Sequence, residues 1–330
     1  MRVGLLHNEP LPEGAPNWES SADVLIQVAA IETVLAELGH TPLRLPFTRD
    51  LTAVLGRITT AKTDCIINLC ESVDEDPLLV GHPAAVLELL RLPFSGSTAS
   101  ALLLSTDKAV SKQLLHGAGL PTPGFFLYEG GEVVIPDGLR FPVILKPRFQ
   151  DASIGIDQES VIPQQALLAE PLRRFHGQYG PILVEEFISG REFNIALMGN
   201  APLRVLPMAE IDFTGLPDHL HRIVGYRAKW EEDSLEYRHT NRVFPNDLSS
   251  VLTERLRQLA RDCFRLFGLR DYGRIDLRLD EHHEPFVLEV NANPCLSPDA
   301  GFAAAARQGS LDYPAMVNEL LQLVCQRMPR

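Results

Sequence analysis

Apolar and polar residues alternate along two neighbouring segments near the C-terminus, residues 273–276 and 287–291. Such alternation is typical of β-strands that pack one face and leave the other face polar. The polar stretch 280–284 lies between the segments and predicts the turn of an antiparallel hairpin. The hairpin would gather its polar side chains on one face, and these are Arg274, Asp276, Glu289 and Asn291.

The oxygen-bearing side chains of this face, Asp276, Glu289 and Asn291, predict a magnesium site. Mg²⁺ prefers oxygen ligands and usually keeps some waters together with nucleotide phosphates. Two carboxylates and an amide beside Arg274 therefore suit metal-bound ATP better than a closed protein cage. An amphipathic hairpin with a solvated polar face would show the same pattern, so these residues alone leave both interpretations open.

The rest of the chain predicts an α/β fold, because short apolar runs alternate with longer amphipathic segments. A strand, a helix and a second strand open the chain in the order that α/β domains use. The proline-rich stretch 121–123 marks a boundary between domains. The predicted strands cover residues 3–6, 41–45, 65–69, 142–147, 182–188, 191–197 and 202–211, and the predicted helices cover 22–38, 82–90, 99–117 and 248–267.

A candidate phosphate site follows the strand 142–147, which ends in Lys146 and Pro147. The loop 151–155 after it is rich in small residues. Such residues permit a tight loop whose backbone N–H groups can cover phosphates, and Lys146 can supply positive charge. Alone, a loop of this kind is weak evidence for a phosphate site.

Composition limits the partners of the protein. The 330 residues are 45% hydrophobic and 22% charged, enough for a sizeable core in two or three domains. Lys+Arg total 30 against 43 Asp+Glu, and the net charge of -13 opposes binding to nucleic acids or anionic membranes. We find no signal peptide or membrane-spanning apolar run, and expect a cytoplasmic protein with small-molecule partners. The five cysteines form no CxxC pair and predict neither disulfides nor a zinc site.

Several short motifs, taken in their order and spacing, carry a resemblance to a known family. They occupy residues 92–97, 106–108, 119–123, 145–147, 184–192, 273–276 and 288–291. With these motifs the chain resembles the D-alanine:D-alanine ligase branch of the ATP-grasp superfamily from its first strand to its last helix. Weak motifs in one fixed order support one another, so the solvated hairpin becomes the less favoured interpretation.

The resemblance implies an α/β (α+β) architecture, the three-domain ATP-grasp fold, with ATP held between the sheets of the central and C-terminal domains. The expected domains are an N-terminal substrate domain at 1–98, a central ATP-grasp subdomain at 99–187 and a C-terminal subdomain with the magnesium site at 188–330. The resemblance also implies an ADP-forming carbon–nitrogen ligase and, by analogy with family dimers, a homodimer.

The same resemblance assigns roles in nucleotide binding. It implies that Lys108 and Lys146 contact the phosphates of ATP beside Ser153 of the phosphate loop. It also implies that Glu192 holds the ribose and that the predicted metal ligands bind Mg²⁺ or Mn²⁺. Cations on phosphates and acceptors on ribose are what ATP requires. The residues implied for the adenine hinge are Glu185, Glu186, Phe187 and Ile188.

In such ligases a carboxylate attacks the γ-phosphate of ATP, giving an acyl phosphate that an amine then attacks. Arg274 matches the arginine that stabilises the oxyanion of the tetrahedral intermediate. Tyr226 and Lys229, with Trp230, match a mobile loop that closes over the phosphates and excludes water, with ordinary aromatic packing as the alternative. Glu19 lies near the acid that holds the ammonium group of the first substrate, and a helix-start glutamate is the alternative there.

The phosphate loop departs from the family pattern. Ser153 and Gly155 are kept, but Ala152 replaces a serine that binds the closing loop and the first-substrate acid. Asp151 stands where the family has glycine. It could accept a hydrogen bond from a cationic substrate group, and a solvated loop aspartate is the alternative. The geometry of the first substrate is therefore expected to differ from that in the family.

The stretch after the hairpin departs as well. Cys295 replaces a glycine, and Ala300 and Gly301 replace the serine and leucine that bind the carboxylate of the second amino acid. A site that hydrogen-bonds its substrate discriminates strongly, so the loss of those groups should change the substrate. We predict a ligase that does not join D-alanine to D-alanine.

Three functions fit the sequence. The first is an ADP-forming ligase that joins an amino acid or related carboxylate to an amine. The second is a true D-alanine:D-alanine ligase with a rearranged acceptor pocket. The third is an ATP-binding module without turnover, which the altered phosphate loop favours and the retained Arg274 opposes, because a nucleotide sensor needs no oxyanion arginine.

Overall fold

The protein is represented by a computed structural model that describes residues 1–15 and 18–328. The side chains of Glu19 and Ser20 also lie outside the described part. The described strands form three sheets, and each sheet falls within one of the segments 1–98, 99–187 and 188–330. We therefore keep these segments as the proposed domains.

The N-terminal sheet is a small parallel sheet covered by helices. It comprises β1 (Arg2–Asn8), β2 (Thr41–Phe47), β3 (Cys65–Asn68), α1 (Trp18–Glu37), α2 (Leu51–Ala61) and α3 (His82–Leu89). β1 lies between β2 and β3 and is buried along almost its whole length. Asp50 starts α2 by accepting a hydrogen bond from the N–H of Ala53, as short polar residues do at helix starts.

The central sheet is antiparallel and has a core of its own. It comprises β4 (Phe125–Tyr128), β5 (Val143–Pro147), β6 (Val161–Ile162) and β7 (Ile182–Glu186), in the order β4–β7–β5–β6. A single amphipathic helix, Ala169–Tyr179, packs against this sheet. Val143, Leu172 and Val184 are buried together between this helix and the sheet. The ends of β5 and β7 carry Lys146 and Glu185.

The C-terminal sheet contains the predicted hairpin. Its strands are β8 (Glu192–Met198), β9 (Arg204–Val205), β10 (Ala209–Asp212), β11 (Asn241–Val243), β12 (Tyr272–Leu279) and β13 (Pro285–Asn291). They pair in the order β11–β10–β8–β12–β13, with β9 beside β8.

The remaining helices belong to the second and third segments. Two helices precede the central sheet, α4 (Ala99–Thr106) and α5 (Lys108–Gly117), and α6 is the helix Ala169–Tyr179 that packs against it. The helices of the third segment are α7 (Tyr226–Trp230), α8 (Leu235–Arg238), α9 (Ser250–Leu266), α10 (Gly301–Gln308) and α11 (Tyr313–Cys325).

The prediction of one helix over 99–117 is wrong, because the chain breaks at Asp107 into α4 and α5. The Asp107 carboxylate accepts hydrogen bonds from the N–H groups of Ala109 and Val110 at 3.1 and 3.2 Å. Aspartate favours this capping position and competes with a continuous helix. The break places Lys108 in the first residue of α5.

The prediction of one strand over 202–211 is also wrong. The structure forms β9 and β10 instead, with Pro207 between them. Proline has no N–H to donate to a neighbouring strand, so a regular ladder cannot run through it. Leu206 still donates to the carbonyl of Ala196 at 2.9 Å, which keeps the segment close to β8.

The first and third sheets share two buried apolar clusters, one of which also contains residues of α4 and α5. Ile66 of β3, Leu102 and Leu115 of α4 and α5, and Phe193 and Ile275 of the third sheet belong to one buried cluster. The helices α4 and α5 therefore pack between these two sheets, while the central sheet has its separate core. Within residues 1–15 and 18–328, no helix is long and apolar enough to cross a membrane.

Candidate active site

The predicted hairpin forms between β12 and β13, and its polar residues face one another across the strands. Arg274 pairs with Asn291 in the antiparallel register. Two residues along, Asp276 pairs with Glu289. Side chains of directly opposed residues lie on the same face of a sheet, so all four share the face that the alternation predicted.

A β-bulge follows in the same hairpin. The register shifts after Asp276, so that Leu277 pairs with Val287 and Leu288 is left as the extra residue of β13. A bulge bends its strand and redirects the next side chain, and bulges are common beside active sites. Here the next side chain is that of Glu289.

Asp276 accepts four side-chain hydrogen bonds. Arg274 donates to its two oxygens from Nε and Nη2, both at 2.8 Å. Asn194 Nδ2 donates to Oδ1 at 2.8 Å and Asn291 Nδ2 to Oδ2 at 3.0 Å. These bonds fill the roughly four acceptor positions of a carboxylate. They also hold Arg274 in one orientation.

The donor set of this face fits Mg²⁺. The Glu289 carboxylate and the carbonyl oxygen of Asn291, whose amide nitrogen is turned to Asp276, are hard oxygen donors. Asp276 can join them only if one of its present hydrogen bonds is exchanged. No group of three His, Cys, Asp or Glu residues in the described part of the chain could hold a metal without other donors. A metal here would thus rely on the amide, on waters and on phosphates.

Lys108 links the hairpin to the loop 151–155. Its Nζ lies 3.2 Å from Asp151 Oδ1 and 3.7 Å from Glu289 Oε1, and it donates to the carbonyl of Gln150 at 2.5 Å. Burial alone would lower the pKa of Lys108, but Asp151 and Glu289 outweigh it and raise that pKa. Asp151, predicted to meet a substrate cation or solvent, pairs with Lys108 while 48% of its side chain stays exposed.

Lys146 lies beside a second carboxylate, that of Glu185. Its Nζ donates to Glu185 Oε1 at 2.8 Å, and Lys112 Nζ lies 2.6 Å from Oε2. Glu185 is only 1% exposed. Burial would raise its pKa, but the two lysines outweigh burial and lower the pKa of Glu185. Sequence reasoning missed Lys112, although it lies four residues after Lys108 and hence on the same helical face.

The side chains of the expected hinge are held by other groups. Arg140 donates to Glu186 from its backbone N–H and its guanidinium at 2.6 to 3.0 Å. Arg278 Nη1 donates to the carbonyl of Ile188 at 2.7 Å, and its guanidinium lies 5.0 Å from the centre of the Phe187 ring. A base in this hinge would therefore meet backbone and the Phe187 ring, because the carboxylates are occupied.

Arg278 also holds Glu192, the expected ribose ligand. Nε and Nη2 of Arg278 donate to Glu192 Oε2 at 2.9 and 2.6 Å, and Arg278 is 3% exposed. One oxygen of Glu192, Oε1, takes no part in these two bonds. Sequence reasoning missed Arg278, yet it continues the alternation of Arg274 and Asp276 on β12 and carried a signal.

The loop 151–155 is tightly curved. Ala152 and Ser153 have φ values of 54° and 62°, in the left-handed region that such residues seldom adopt. Gly155 has a φ of 74°, and a Cβ there would lie 2.7 Å from the Pro147 ring. The loop therefore requires glycine at its end.

The segment around α7 is closed onto this loop. Ser153 Oγ donates to the carbonyl of Val224 at 2.8 Å, and Trp230 Nε1 donates to the carbonyl of Ala152 at 3.0 Å. The N–H of Tyr226 donates to Ile156 at 2.8 Å, and the Tyr226 and Trp230 rings lie 6.5 Å apart. Ala152, which lacks the family's hydroxyl, still contacts the closing segment through its backbone.

Lys229 of α7 approaches the hairpin face. The residue is exposed overall, but removal of water from its ammonium group lowers the pKa of Lys229, and the charge of Arg274 lowers it further. Glu289 and Asp276 oppose this shift. Glu19, the last of the predicted catalytic residues, lies in α1 with its side chain outside the described part.

Near Cys295, two carboxyl groups have neutral partners. Cys295 Sγ donates to Asp23 Oδ2 at 3.1 Å, and Gln27 Nε2 donates to Glu71 Oε1 at 2.8 Å. Gln27 Oε1 accepts from the N–H of Leu296 at 2.9 Å. Burial raises the pKa of Asp23, and burial with nearby Asp23 and Asp151 raises the pKa of Glu71 to about 7.

The start of α10 is open where the family has a hydroxyl. Ala300 is the N-cap of this helix and makes no side-chain hydrogen bond to it. A Cβ on Gly301 would lie 3.4 Å from the guanidinium of Arg242, which donates to the carbonyl of Asp299 at 3.3 Å. The polar groups at this point are therefore an arginine and the backbone N–H groups at the start of α10.

Comparison with known proteins decides the family. The family model described as D-ala D-ala ligase C-terminus matches residues 114–322. The chain belongs to this family. Its members are ADP-forming ATP-grasp ligases that form carbon–nitrogen bonds with ATP and Mg²⁺, and the predicted enzyme class and cofactors are confirmed.

Relatives agree with this membership. The chain is 32% identical to the uncharacterized protein y4sG of Sinorhizobium fredii, over 97% of this chain and 92% of that one. It is also 32% identical to a D-alanine–D-alanine ligase of Alcanivorax borkumensis, over 75% of this chain and 72% of that one. A crystal structure of D-alanine–D-alanine ligase from Bacillus anthracis complexed with ATP matches with a TM-score of 0.77 at 17% identity, covering 99% of this chain and 98% of that one. The expected ATP-grasp fold is thereby confirmed.

Proposed function

We propose that this D-alanine–D-alanine ligase family member joins an amino acid or peptide-type carboxylate to an amine through an acyl phosphate, and that its substrates are not two molecules of D-alanine. The observation that carries the second part is the acceptor side of the site. There the thiol of Cys295 donates a hydrogen bond to Asp23, and Ala300 leaves the start of α10 without a side-chain cap.

The charged residues of the central and C-terminal segments support the proposed nucleotide roles. Lys108 and Lys146 would bind the phosphates of ATP, and the backbone of 185–188 would bind the adenine. Glu192 would bind the ribose through the oxygen that Arg278 leaves available. Asp276, Glu289 and Asn291 would hold Mg²⁺, which supplies positive charge to the phosphates when bound.

The reactive end is supported by Arg274. Its two bonds to Asp276 use two of the five N–H groups of a guanidinium, and the others can bind the oxyanion of a tetrahedral intermediate. Tyr226 and Lys229 belong to the segment closed over the loop 151–155, which would keep water from the acyl phosphate. Glu19 is proposed to hold the ammonium group of the first substrate.

The change of substrate is argued from lost hydrogen-bonding groups. In the family a serine hydroxyl binds the carboxylate of the second amino acid. Here that carboxylate would meet Ala300 and lose this hydrogen bond, so an acceptor of the family's kind should bind less well. Arg242 lies beside Gly301 and offers charge in place of a hydroxyl. A different placement of the acceptor's anionic group follows from that exchange.

The second candidate is a true D-alanine:D-alanine ligase with a rearranged pocket, which the relative from Alcanivorax borkumensis favours. The third, a nucleotide-binding module without turnover, is opposed by family membership. The cytoplasmic location and the homodimer stay predictions.

The test is ADP release with Mg²⁺ and ATP against a matrix of D- and L-amino acids, β-amino acids and amines, with product masses measured. We expect ADP only with particular pairs, and a product whose mass equals their condensation. Formation of D-alanyl-D-alanine from millimolar D-alanine would refute the substrate proposal. ATP binding without ADP release across the matrix would instead refute turnover.

A further inference from the structure

Lys112 is a buried lysine that joins three parts of the chain. It is 1% exposed and lies one turn after Lys108 on α5. Its Nζ donates to Thr122 Oγ1 at 2.9 Å and to the carbonyl of Val287 at 3.0 Å, and lies 2.6 Å from Glu185 Oε2. Burial lowers its pKa to about 8 although Glu185 opposes that shift, so the ammonium form still predominates at pH 7.

Glu185, one partner of Lys112, also contacts Lys146. The two oxygens of Glu185 face different lysines: Oε1 accepts a hydrogen bond from Lys146, and Oε2 forms an ion pair with Lys112. Removal of the Lys112 charge would leave Lys146 as the sole cation of a buried carboxylate. A buried carboxylate attracts its remaining counter-ion strongly, because its own desolvation must be offset. Lys146 would then be held toward Glu185 and away from an incoming phosphate.

Another partner of Lys112 fixes the strand that carries Glu289. The carbonyl of Val287 accepts from Lys112 and, at 2.8 Å, from Thr122 Oγ1, while its N–H donates to Pro121 at 2.8 Å. Val287 immediately precedes the bulge residue Leu288, and Glu289 follows it. A bulge aims the neighbouring side chain, so the anchor at Val287 sets the direction of Glu289.

We propose that Lys112 is a positioning residue that sets two parts of the reaction site at once, the phosphate-facing ammonium of Lys146 and the metal-facing carboxylate of Glu289. This inference rests on the proposed roles of those two residues. Lys112 touches neither nucleotide nor metal in this account and acts only through Glu185 and the backbone of Val287.

The test measures ATP binding by titration calorimetry on the full chain, with and without Mg²⁺. Lys112→Met keeps the length and apolar stem of the side chain but removes its charge. We expect ATP to bind at least about tenfold more weakly without Mg²⁺, because Lys146 is withdrawn. The Mg²⁺ concentration needed for half-maximal tightening of ATP binding should rise at least about threefold, because Glu289 is misdirected. Lys62→Met, the same change at an exposed residue, should alter neither quantity.

The double variant Lys112→Met/Glu185→Gln separates positioning from packing. With the carboxylate gone, Lys146 is released, so ATP affinity without Mg²⁺ should recover to within about threefold of the wild type. The shift in Mg²⁺ requirement should persist, because the contact at Val287 is still missing. The double variant leaves no unpaired buried anion and is expected to fold even if Lys112→Met does not.

The outcomes distinguish the inference from the proposed function. Wild-type ATP binding by Lys112→Met, or weaker binding by the double variant than by the single one, would overturn the inference. Lys146→Met is measured in parallel and should weaken ATP binding. If it does not, the proposed phosphate role of Lys146 fails and the inference fails with it.

Discussion

The two halves of the proposed site, one proposed for the nucleotide and the other for the acceptor, treat their carboxylates differently. In the nucleotide half, acids lie against cations: Glu185 against two lysines, Glu192 against Arg278, and Glu289 near Lys108. In the acceptor half, Asp23 and Glu71 are bound by a thiol and an amide. The neighbours accordingly lower the pKa values of Glu185 and Glu289 against the effect of burial, whereas burial raises those of Asp23 and Glu71.

The different partners of these carboxylates indicate what each half can bind. A group of cations already fixed by carboxylates can exchange some of those contacts for phosphate oxygens with little rearrangement. A buried acid without a cation is stabilised in its charged form when a positive group arrives. The acceptor half thus suits an incoming amine, and it is also where the chain departs from its family at Cys295 and Ala300.

The largest effect on activity is expected from Glu289→Gln in the nucleotide half. The amide keeps the shape but loses the charge of a proposed magnesium ligand, so Mg²⁺-dependent ADP release should fall about 1,000-fold while the fold stays intact. Steady-state kinetics over a range of Mg²⁺ concentrations measure this. Glu284→Gln, on the exposed turn of the same hairpin, serves as the control and should keep wild-type rates. Equal effects of both changes would remove Glu289 from the metal site.

A slightly smaller effect is expected from Arg274→Lys. Lysine keeps the charge but cannot make the two-pronged contact with Asp276, so the group that would meet the oxyanion loses its orientation. ADP release should fall about 100-fold with a smaller change in ATP binding. Arg255→Lys, in an exposed pair with Glu284, is the matched control. Wild-type kinetics for Arg274→Lys would refute the oxyanion role.

Trp230→Phe tests the closure of α7 over the loop 151–155, which lies between the two halves. This change removes the hydrogen bond to the carbonyl of Ala152 and weakens closure of α7 over the loop. We expect ADP release to exceed product formation by about threefold, because the acyl phosphate meets water. A ratio of ADP to product that stays at one would show that closure does not depend on this bond.

The smallest expected effect concerns stability in the acceptor half. Glu71 has its pKa raised from 4.5 to about 7 by burial, with Asp23, Asp151 and Glu75 adding to the rise and Gln27 opposing it. The Glu71 carboxylate therefore binds a proton more tightly in the folded state than in the unfolded state. The resulting stability is present below pH 4.5 and is lost as the pH rises through 7.

Glu71→Gln stays neutral and should escape this loss. We expect the variant to be more stable than the wild type by about 1–3 kcal/mol at pH 8, with a smaller difference at pH 5. Thermal unfolding at the two pH values measures it. A constant difference between the two proteins would mean that Glu71 does not titrate with a raised pKa, and the contrast between the halves would weaken.

The hairpin is the part of the site that the sequence predicts best. Its alternation is local and the turn at 280–284 is visible in the sequence, but the pairing of Asp276 with Glu289 also depends on the bulge at Leu288, which the pattern does not predict. The apolar pattern on either side of Asp107 and Pro207 predicts continuous elements there, whereas the capping aspartate and the proline interrupt them. Both residue types carry known signals for a break.

Partners that are distant in sequence could not be predicted in the same way. Lys112 meets Glu185 and Val287 across 73 and 175 residues, since those separations arise only when α5 packs between the sheets. The pairing of Asp23 with Cys295 depends likewise on the first and third segments coming together. Residue types and order predict the chemistry of the site, while tertiary packing decides which charge meets which.

The most direct test of the central claim, an intact activating half beside a changed acceptor half, is acyl-phosphate trapping. The protein is incubated with Mg²⁺, ATP, hydroxylamine and one carboxylate at a time, and hydroxamate and ADP are measured by mass. Hydroxylamine replaces the acceptor amine, so the first half is tested alone. We predict that at least one carboxylate gives hydroxamate and ADP in equal amounts, and that D-alanine without hydroxylamine gives no D-alanyl-D-alanine. Dipeptide from D-alanine, or no hydroxamate from any carboxylate while ATP binds, would contradict it.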